Sequence, residues 1–390
     1  MIRLLHLADL HPNASATLAG KLAIDPETSQ NQALTDLDLS LQACLRSATN
    51  PARPCHLAVL AGDVFDSHKP HPNEIRVIRR FLEPLALEMP VVVIPGNHDM
   101  SQNPRDATAL EAIKGLPGLH VVERPDVLTL AVDGQAVQIA CLPYPQKGRL
   151  LTQDETLDQS PEAVTARINH GLAAILRHFA AERSPHTFTL LVAHGSVRNA
   201  SVGDQPRSLE HDILIPTDDF GAFDYVALGH IHRAQAVAAN AHYCGSLTRQ
   251  SFGEETETKG WHLVELGGAE LKIRQVLNPH TRTYCTITPA MLQDHDYPEG
   301  LQPGICWRFK ASLTDQEAQA LQPTLARLAA STPWFQQTIE HVREARARDA
   351  AMTTVLTTEA ALLRALEGKV TPEQLPALLE LHRALDQQSD

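Results

Sequence analysis

Apolar residues in this chain gather in short, nearly uninterrupted runs and do not alternate with polar ones. Ile2 to Ala8, Leu57 to Ala61, Val91 to Pro95, Phe188 to Ala193 and Tyr225 to Leu228 all have this character, which suits strands covered on both faces by flanking helices. Between them lie Glu74 to Glu88, Ala107 to Lys114 and Glu162 to Glu182, where apolar residues recur at three and four positions, the helical period. Leu128 to Leu142 and Trp261 to Val276 read as strand pairs, the first turning at Asp133-Gly134, a favoured hairpin dipeptide. A layered α/β core follows.

The pattern changes near Asn278-Pro279-His280, after which a strand-like Ile305 to Phe309 precedes a helical Asp315 to Ala329. Beyond Thr353 come two short helix patterns joined at Gly368. Leu362, Leu363 and Leu366 make one stripe and Leu378, Leu381 and Leu385 the other, too slight to bury each other. Thr371-Pro372-Glu373-Gln374 carries the arrangement of a capping box at the start of the second helix. Three parts are expected: 1–278, 279–350 and 351–390.

Composition fits that division. With 390 residues, 43% of them apolar, the chain is too long for one compact core. No apolar run approaches the ~20 residues of a membrane span. The chain starts directly in a strand pattern, without the features of a signal peptide, so a cytoplasmic location is expected. The six cysteines are scattered with no Cys-x-x-Cys pair, which suggests neither disulfides nor a thiolate zinc site. A net charge of −13 argues against broad nonspecific binding of nucleic acid and leaves a local site open.

Each of the five apolar runs ends in side chains that bind metals: Asp9 and His11, then Asp63, then Asn97 and His98, then His194, then His230 and His232. Sites in α/β sheets form beyond the carboxyl ends of strands, so one site built from five strand ends is the economical reading, although any one of 20 histidines taken alone is more often a plain surface residue. In Asp9-Leu10-His11 and His230-Ile231-His232 the polar side chains stand at i and i+2, pointing the same way if the strand continues. The set exceeds what one ion can use and lacks thiolates. Two divalent ions fit, Mn²⁺ being favoured by imidazole and carboxylate together, and a paired site of that kind suits phosphoester hydrolysis.

Asp-Leu-His, Gly-Asp-Val-Phe-Asp, Gly-Asn-His-Asp, Ala-His-Gly and Gly-His-Ile-His, in this order from Asp9 to His232, resemble the calcineurin-like metallophosphoesterases. Within them the chain is most similar to the SbcD-type nucleases, on Gly62 to Asp66 followed by Pro70, Ile94 to Asp99, and Tyr243 to Leu247 leading to Ser251-Phe-Gly-Glu254 and Lys259-Gly260. The resemblance implies a metallophosphoesterase β-sandwich flanked by helices, a small α+β capping domain and a C-terminal helical tail. It also implies that Asp9, His11, Asp63 and His232 hold one ion and Asp63, Asn97, His194 and His230 the other, with Asp63 as the bridge. His98 would act on the leaving oxygen with Asp66 as its carboxylate partner, while Asp99 is read as either supporting the ligands or structural. Pro12-Asn13 departs from the family pattern and puts the shape of that loop in question. The segment Gly148 to Val164 resembles nothing assigned.

The activity implied is a Mn²⁺-dependent DNA exonuclease and hairpin- or end-processing endonuclease of an SbcCD-like DNA repair and recombination complex, a homodimer within a heterotetramer. Its partner would be an SbcC-like ABC-type ATPase, because no Gly-x-x-x-x-Gly-Lys-Ser/Thr loop occurs here. Candidate phosphate contacts are Arg198, Asn199, Arg233 and Arg249, each competing with simple solvation. Arg343 to Arg348 either lie over DNA or form a plain exposed helix. Two other readings are a phosphatase or phosphodiesterase acting on a small nucleotide or phosphoprotein, and an inactive scaffold, which retention of every ligand disfavours.

Overall fold

The computed structural model describes residues 1–18, 21–22, 24, 31–150, 160–184, 186–198, 200–201, 213–268, 270–293, 304–342, 366, 370 and 374–386. Expectations placed on Asn199, on 343–348, on Leu362, Leu363 and Gly368, on 371–373, and on 151–159 of the unassigned segment lie outside these residues. The chain divides into two compact units, Met1–Ala311 with Pro323–Thr338, and Ser312–Gln322 with Ile339–Asp390.

The first unit contains two six-stranded sheets. One includes β1 (Ile2–Leu7), β4 (Leu57–Ala61), β5 (Val91–Ile94), β6 (Leu119–Val121), β13 (Gly260–Leu266) and β14 (Lys272–Leu277), in the order β14-β13-β1-β4-β5-β6. Here β1, β4, β5 and β6 run parallel, and the β13–β14 pair adds antiparallel strands at the β1 edge. The other includes β7 (Asp126–Val132), β8 (Gln135–Leu142), β9 (Phe188–His194), β10 (Tyr225–Gly229), β11 (Gln235–Ala238) and β12 (Ala241–Tyr243), in the order β11-β12-β10-β9-β8-β7. A small ribbon, β2 (Thr17–Leu18) with β3 (Lys21–Leu22), stands apart from both sheets. Asp133 and Gly134 both take positive φ, 47° and 72°, as the turn between β7 and β8 requires.

Three apolar layers hold this together. Helices α1 (Gln32–Ala48) and α2 (Pro72–Glu88) press Leu37, Leu41, Ile78, Phe81 and Leu85 onto the outer face of the first sheet. The helix Pro161–Ala181 does the same to the second sheet with Ile168, Leu172 and Leu176. Between the sheets, Leu4, Val59, Ala61 and Val92 meet Ile139, Leu190, Val192 and Ala227. The strands expected to be covered by helices on both faces are thus covered by helices on one face and by the other sheet on the second. An unbroken apolar run reports burial of both faces and not what buries them.

Helix α2 begins two residues before the periodicity suggests, because His71 caps it, Pro72 fills its first position and Glu74 completes a capping box. The expected helix Ala107 to Lys114 shrinks to a single 3₁₀ turn, Ala109–Ala112, and Gly115 turns away at φ 81°. All six cysteines are free. Among the described residues no helix is long and apolar enough to cross a membrane.

A three-stranded sheet follows, β15 (Thr283–Ile287), β16 (Ile305–Leu313) and β17 (Phe335–His341), with the helix Asp315–Ser331 between its last two strands in sequence. In the second unit the Val342 N–H donates to the Leu313 carbonyl (2.8 Å) and His341 Nδ1 meets Asp315 Oδ1 (2.8 Å). The C-terminal helix spans Leu375–Asp386.

Candidate metal centre

The ends of β1, β4, β5, β9 and β10 converge, and hydrogen bonds join the residues that follow them. Asp9 N–H donates to the Gly62 carbonyl (3.1 Å), Leu10 N–H to the Asp63 carbonyl (2.9 Å), and His230 N–H to both oxygens of Asp9 (3.0 and 3.1 Å). Strand alternation is not what aligns Asp9 with His11, since β1 stops at Leu7 and both residues hold positive φ, 53° and 43°. Asp63 (48°) and His230 (105°) are also left-handed. Each such residue costs on the order of 1–3 kcal/mol, so the backbone holds strain at the candidate ligands. Gly62 and Gly96 are compelled by space, because a Cβ on the first would collide with His194 and on the second with the Asp63 carboxylate.

Two ligand groups share Asp63. In one, Asp9, His11 and His232 bring ligand atoms within 4.8 Å of one another; in the other, Asp9, Asp63 and His194 do so. Asp63 Oδ2 lies 3.6 Å from His11 Nε2 and 3.4 Å from His194 Nε2, facing both. Asn97 Oδ1 lies 3.1 Å from His194 Nε2 and 2.9 Å from His230 Nδ1. Second contacts orient the rings. His194 Nδ1 donates to the Ala61 carbonyl (2.7 Å) and His232 Nδ1 to Glu254 Oε1 (2.8 Å), which aims Nε2 of each inward; His232 Nε2 faces His11 Nε2 at 3.1 Å.

Electrostatics favour added positive charge here. Burial opposes ionisation of Asp63, yet His194 and His11 hold its carboxyl well below the usual range. Burial likewise opposes a charge on His194, but Asp63 raises it to about 9, and Asp66, Asp63 and Asp9 raise His11 in the same way. Protons on two buried imidazoles balance the carboxylates in the metal-free protein, a role that divalent ions also fill. The donor set of carboxylate, imidazole and amide oxygen suits such ions.

His98 sits outside these groups. Its N–H donates to Asp63 Oδ1 (2.8 Å), its Nδ1 to the backbone carbonyl of Asp66 (3.0 Å), and its ring is 44% exposed. The Asp66 carboxylate stands nearer to His11 Nδ1 (3.3 Å) than to His98 Nδ1 (3.8 Å), and it accepts from Asn13 Nδ2 (2.7 Å). The unusual Asn13 therefore braces the loop beside the site. Asp99 is fully buried and accepts from the N–H groups of Val64, Phe65 and Gly96; burial and the Asp63 charge push it up to about 7.

The candidate phosphate contacts separate. Arg198 and Arg233 are exposed, whereas the Arg249 guanidinium is taken up by the carbonyls of Glu254, Glu257 and Arg282 (2.8–3.2 Å) and ties loops together. Sequence reasoning did not assign Glu254 and Lys259 a role. Lys259 is buried, and its Nζ binds Glu254 (2.9 Å), Glu257 (2.7 Å), Ser246 Oγ (2.8 Å) and the His232 carbonyl (2.9 Å). Burial opposes the Glu254 charge, but His232 and Lys259 hold its carboxyl at about 2. Both residues stand in blocks that carried the family resemblance, yet nothing in the spacing marks them as His232's supports.

The family model of the calcineurin-like phosphoesterases matches residues 2–234, which contain every one of these candidate ligands. The chain belongs to that family. It is a phosphoesterase hydrolase of a family that uses divalent metals, with Asp and His groups that could hold them. This phosphoesterase is 26% identical over 369 residues to the SbcD component of the nuclease SbcCD from Escherichia coli K12, covering 89% of its own chain and 87% of that protein. It is 23% identical over 220 residues to the protein of the same name from Staphylococcus epidermidis, covering 55% and 56% of the two chains.

Proposed function

We propose that this phosphoesterase is the nuclease component of an SbcCD-like DNA repair and recombination complex and cuts phosphodiester bonds with two divalent ions, Mn²⁺ being preferred. The observation that supports it most is the position of Asp63 Oδ2, shared between His11 and His194 in a site closed by Asn97, His230 and His232. Asp9, His11, Asp63 and His232 would hold one ion and Asp63, Asn97, His194 and His230 the other. The ions would supply activation of water and neutralisation of phosphoryl charge. His98, with Nδ1 committed to the Asp66 carbonyl, carries its transferable proton on Nε2, where it can meet the leaving oxygen.

The remaining assignments are proposals on the same footing. Residues 279–350 cap the substrate, and 351–390 dock on an SbcC-like ABC-type ATPase within a cytoplasmic heterotetramer. The Leu375–Asp386 helix would provide an apolar stripe as the anchor, Leu381 being 59% exposed.

The test is incubation of the purified protein with linear duplex DNA, hairpin DNA and bis-p-nitrophenyl phosphate, with and without Mn²⁺. Mn²⁺-dependent DNA cleavage is expected, whereas turnover of the small ester alone would favour a phosphatase or small-nucleotide phosphodiesterase. Deleting 353–390 is expected to leave simple nuclease activity near normal and abolish co-purification with the ATPase.

A further inference from the structure

The largest cavity of the first unit, about 1010 Å³, opens beside the metal centre and not over it. Tyr144 forms the boundary: it lines the cavity, and its ring lies 5.9 Å from His230 and 6.1 Å from His194. The loop after β8 is stitched to the ligand loop. Tyr144 N–H donates to the Pro95 carbonyl (3.1 Å), Gln146 Nε2 to the Ser101 carbonyl (2.7 Å) and Arg149 Nη2 to the Asp106 carbonyl (3.1 Å). The wall is therefore built from hydrogen-bonded loops.

Its charge opposes that of the whole chain. Arg105, Arg124, Lys147 and Arg149 line it against one carboxylate, Glu123, in a protein of net charge −13. Glu123 is already engaged by Lys114 Nζ (2.7 Å) and the Thr108 hydroxyl. Arg105, Arg124 and Lys147 are exposed, with no carboxylate partner among the described residues. The floor is apolar, from Leu142, Pro143, Pro145 and Leu172.

Resting on the nuclease reading, we infer that this cleft holds the single-stranded flank of the DNA on one side of the scissile bond. Phosphates would meet Arg105, Arg124 and Lys147, and sugars and bases would lie along Tyr144 and the prolines. Cations beside an aromatic and apolar floor are the combination that binds unpaired strands. A duplex keeps its bases stacked inside and would leave that floor unmatched. The volume stands at the upper end of small-ligand pockets, which suits nucleotides flanking the cut.

The test is the double charge reversal Arg124→Glu with Lys147→Glu in the full-length chain, neither residue being part of the metal centre. Binding of a fluorescent single-stranded oligonucleotide is followed by anisotropy over a KCl series in EDTA, and turnover of a DNA with a single-stranded overhang is compared with that of bis-p-nitrophenyl phosphate in Mn²⁺. Expected are a fall of about 2 in the magnitude of the salt slope, at least a tenfold rise in KM for the overhang DNA, and unchanged turnover of the small ester. An unchanged salt slope and KM, or equal losses on both substrates, would overturn the assignment. Wild-type protein that turns over the ester but neither binds nor cuts any oligonucleotide would instead overturn the nuclease reading, and the cleft assignment with it.

Discussion

Asp63 touches more of the site than any other side chain: His98 N–H on one oxygen, His11 and His194 on the other. A carboxylate in that position supports two cations, so Asp63→Asn is expected to lower bound metal at both positions and abolish Mn²⁺-dependent cleavage. His98→Ala should behave differently, because its ring lies outside both ligand groups. Near-normal metal content with cleavage reduced about 10²-fold or more is expected, read by metal analysis and turnover on the same samples; loss of metal in parallel would place His98 among the ligands. Glu254 acts at one remove. Glu254→Gln keeps the shape but removes the charge between His232 Nδ1 and buried Lys259, and metal affinity is expected to fall about 10- to 100-fold. Calorimetric titration of Mn²⁺ into both proteins checks it, and equal affinities would refute the support role.

At the scale of elements, the site depends on how helices begin as much as on where strands end. Glu74 is 7% exposed; its carboxylate accepts from the His71 N–H (2.8 Å) to close the α2 capping box and from the Ala14 N–H (2.7 Å) to hold the loop that follows His11. Glu74→Ala therefore removes a cap and frees the loop together. A loss of about 1 kcal/mol or more in denaturant stability is expected, with weaker metal binding because His11 loses its anchor. Stability lost with metal affinity unchanged would show that Glu74 serves the helix alone.

Over the whole molecule, the inter-sheet core contains a patch that does not conform to its apolar surroundings. His6 is buried against Tyr225 Oη (2.9 Å) with His262 at 5.8 Å between ring centroids, and His242 stands 5.9 Å from His262. Burial, then neighbouring imidazoles, hold His6 below its ordinary value and His262 at about 4. The unfolded chain takes up these protons near pH 6.5 and the folded one does not. Unfolding thus binds protons, and the stability fully present above that pH is lost as pH falls from about 6.5 toward 4. Denaturant midpoints of metal-free wild type and His262→Gln, compared from about pH 7.5 to 4.5 to span that window, are expected to show wild type losing ground to the variant as pH falls. A pH-independent difference would exclude the linkage.

Much of this architecture is legible in local order. The five apolar runs become strands within a residue or two of their expected ends, the Asp133-Gly134 hairpin forms, and each run carries its metal-capable residue, because strand propensity and turn chemistry act between near neighbours. What covers the strands, the left-handed turns at Asp9, His11, Asp63 and His230, and the commitment of Arg249 to carbonyls are decided by the tertiary structure. So are the Lys259–Glu254–His232 chain and the cationic cleft, whose members come from distant parts of the sequence. Spacing along a chain records which residues can share a strand or a helix face. The partner of a buried carboxylate, or the net charge of a wall built from several loops, is set only when long-range contacts bring those groups out of water and into each other's fields.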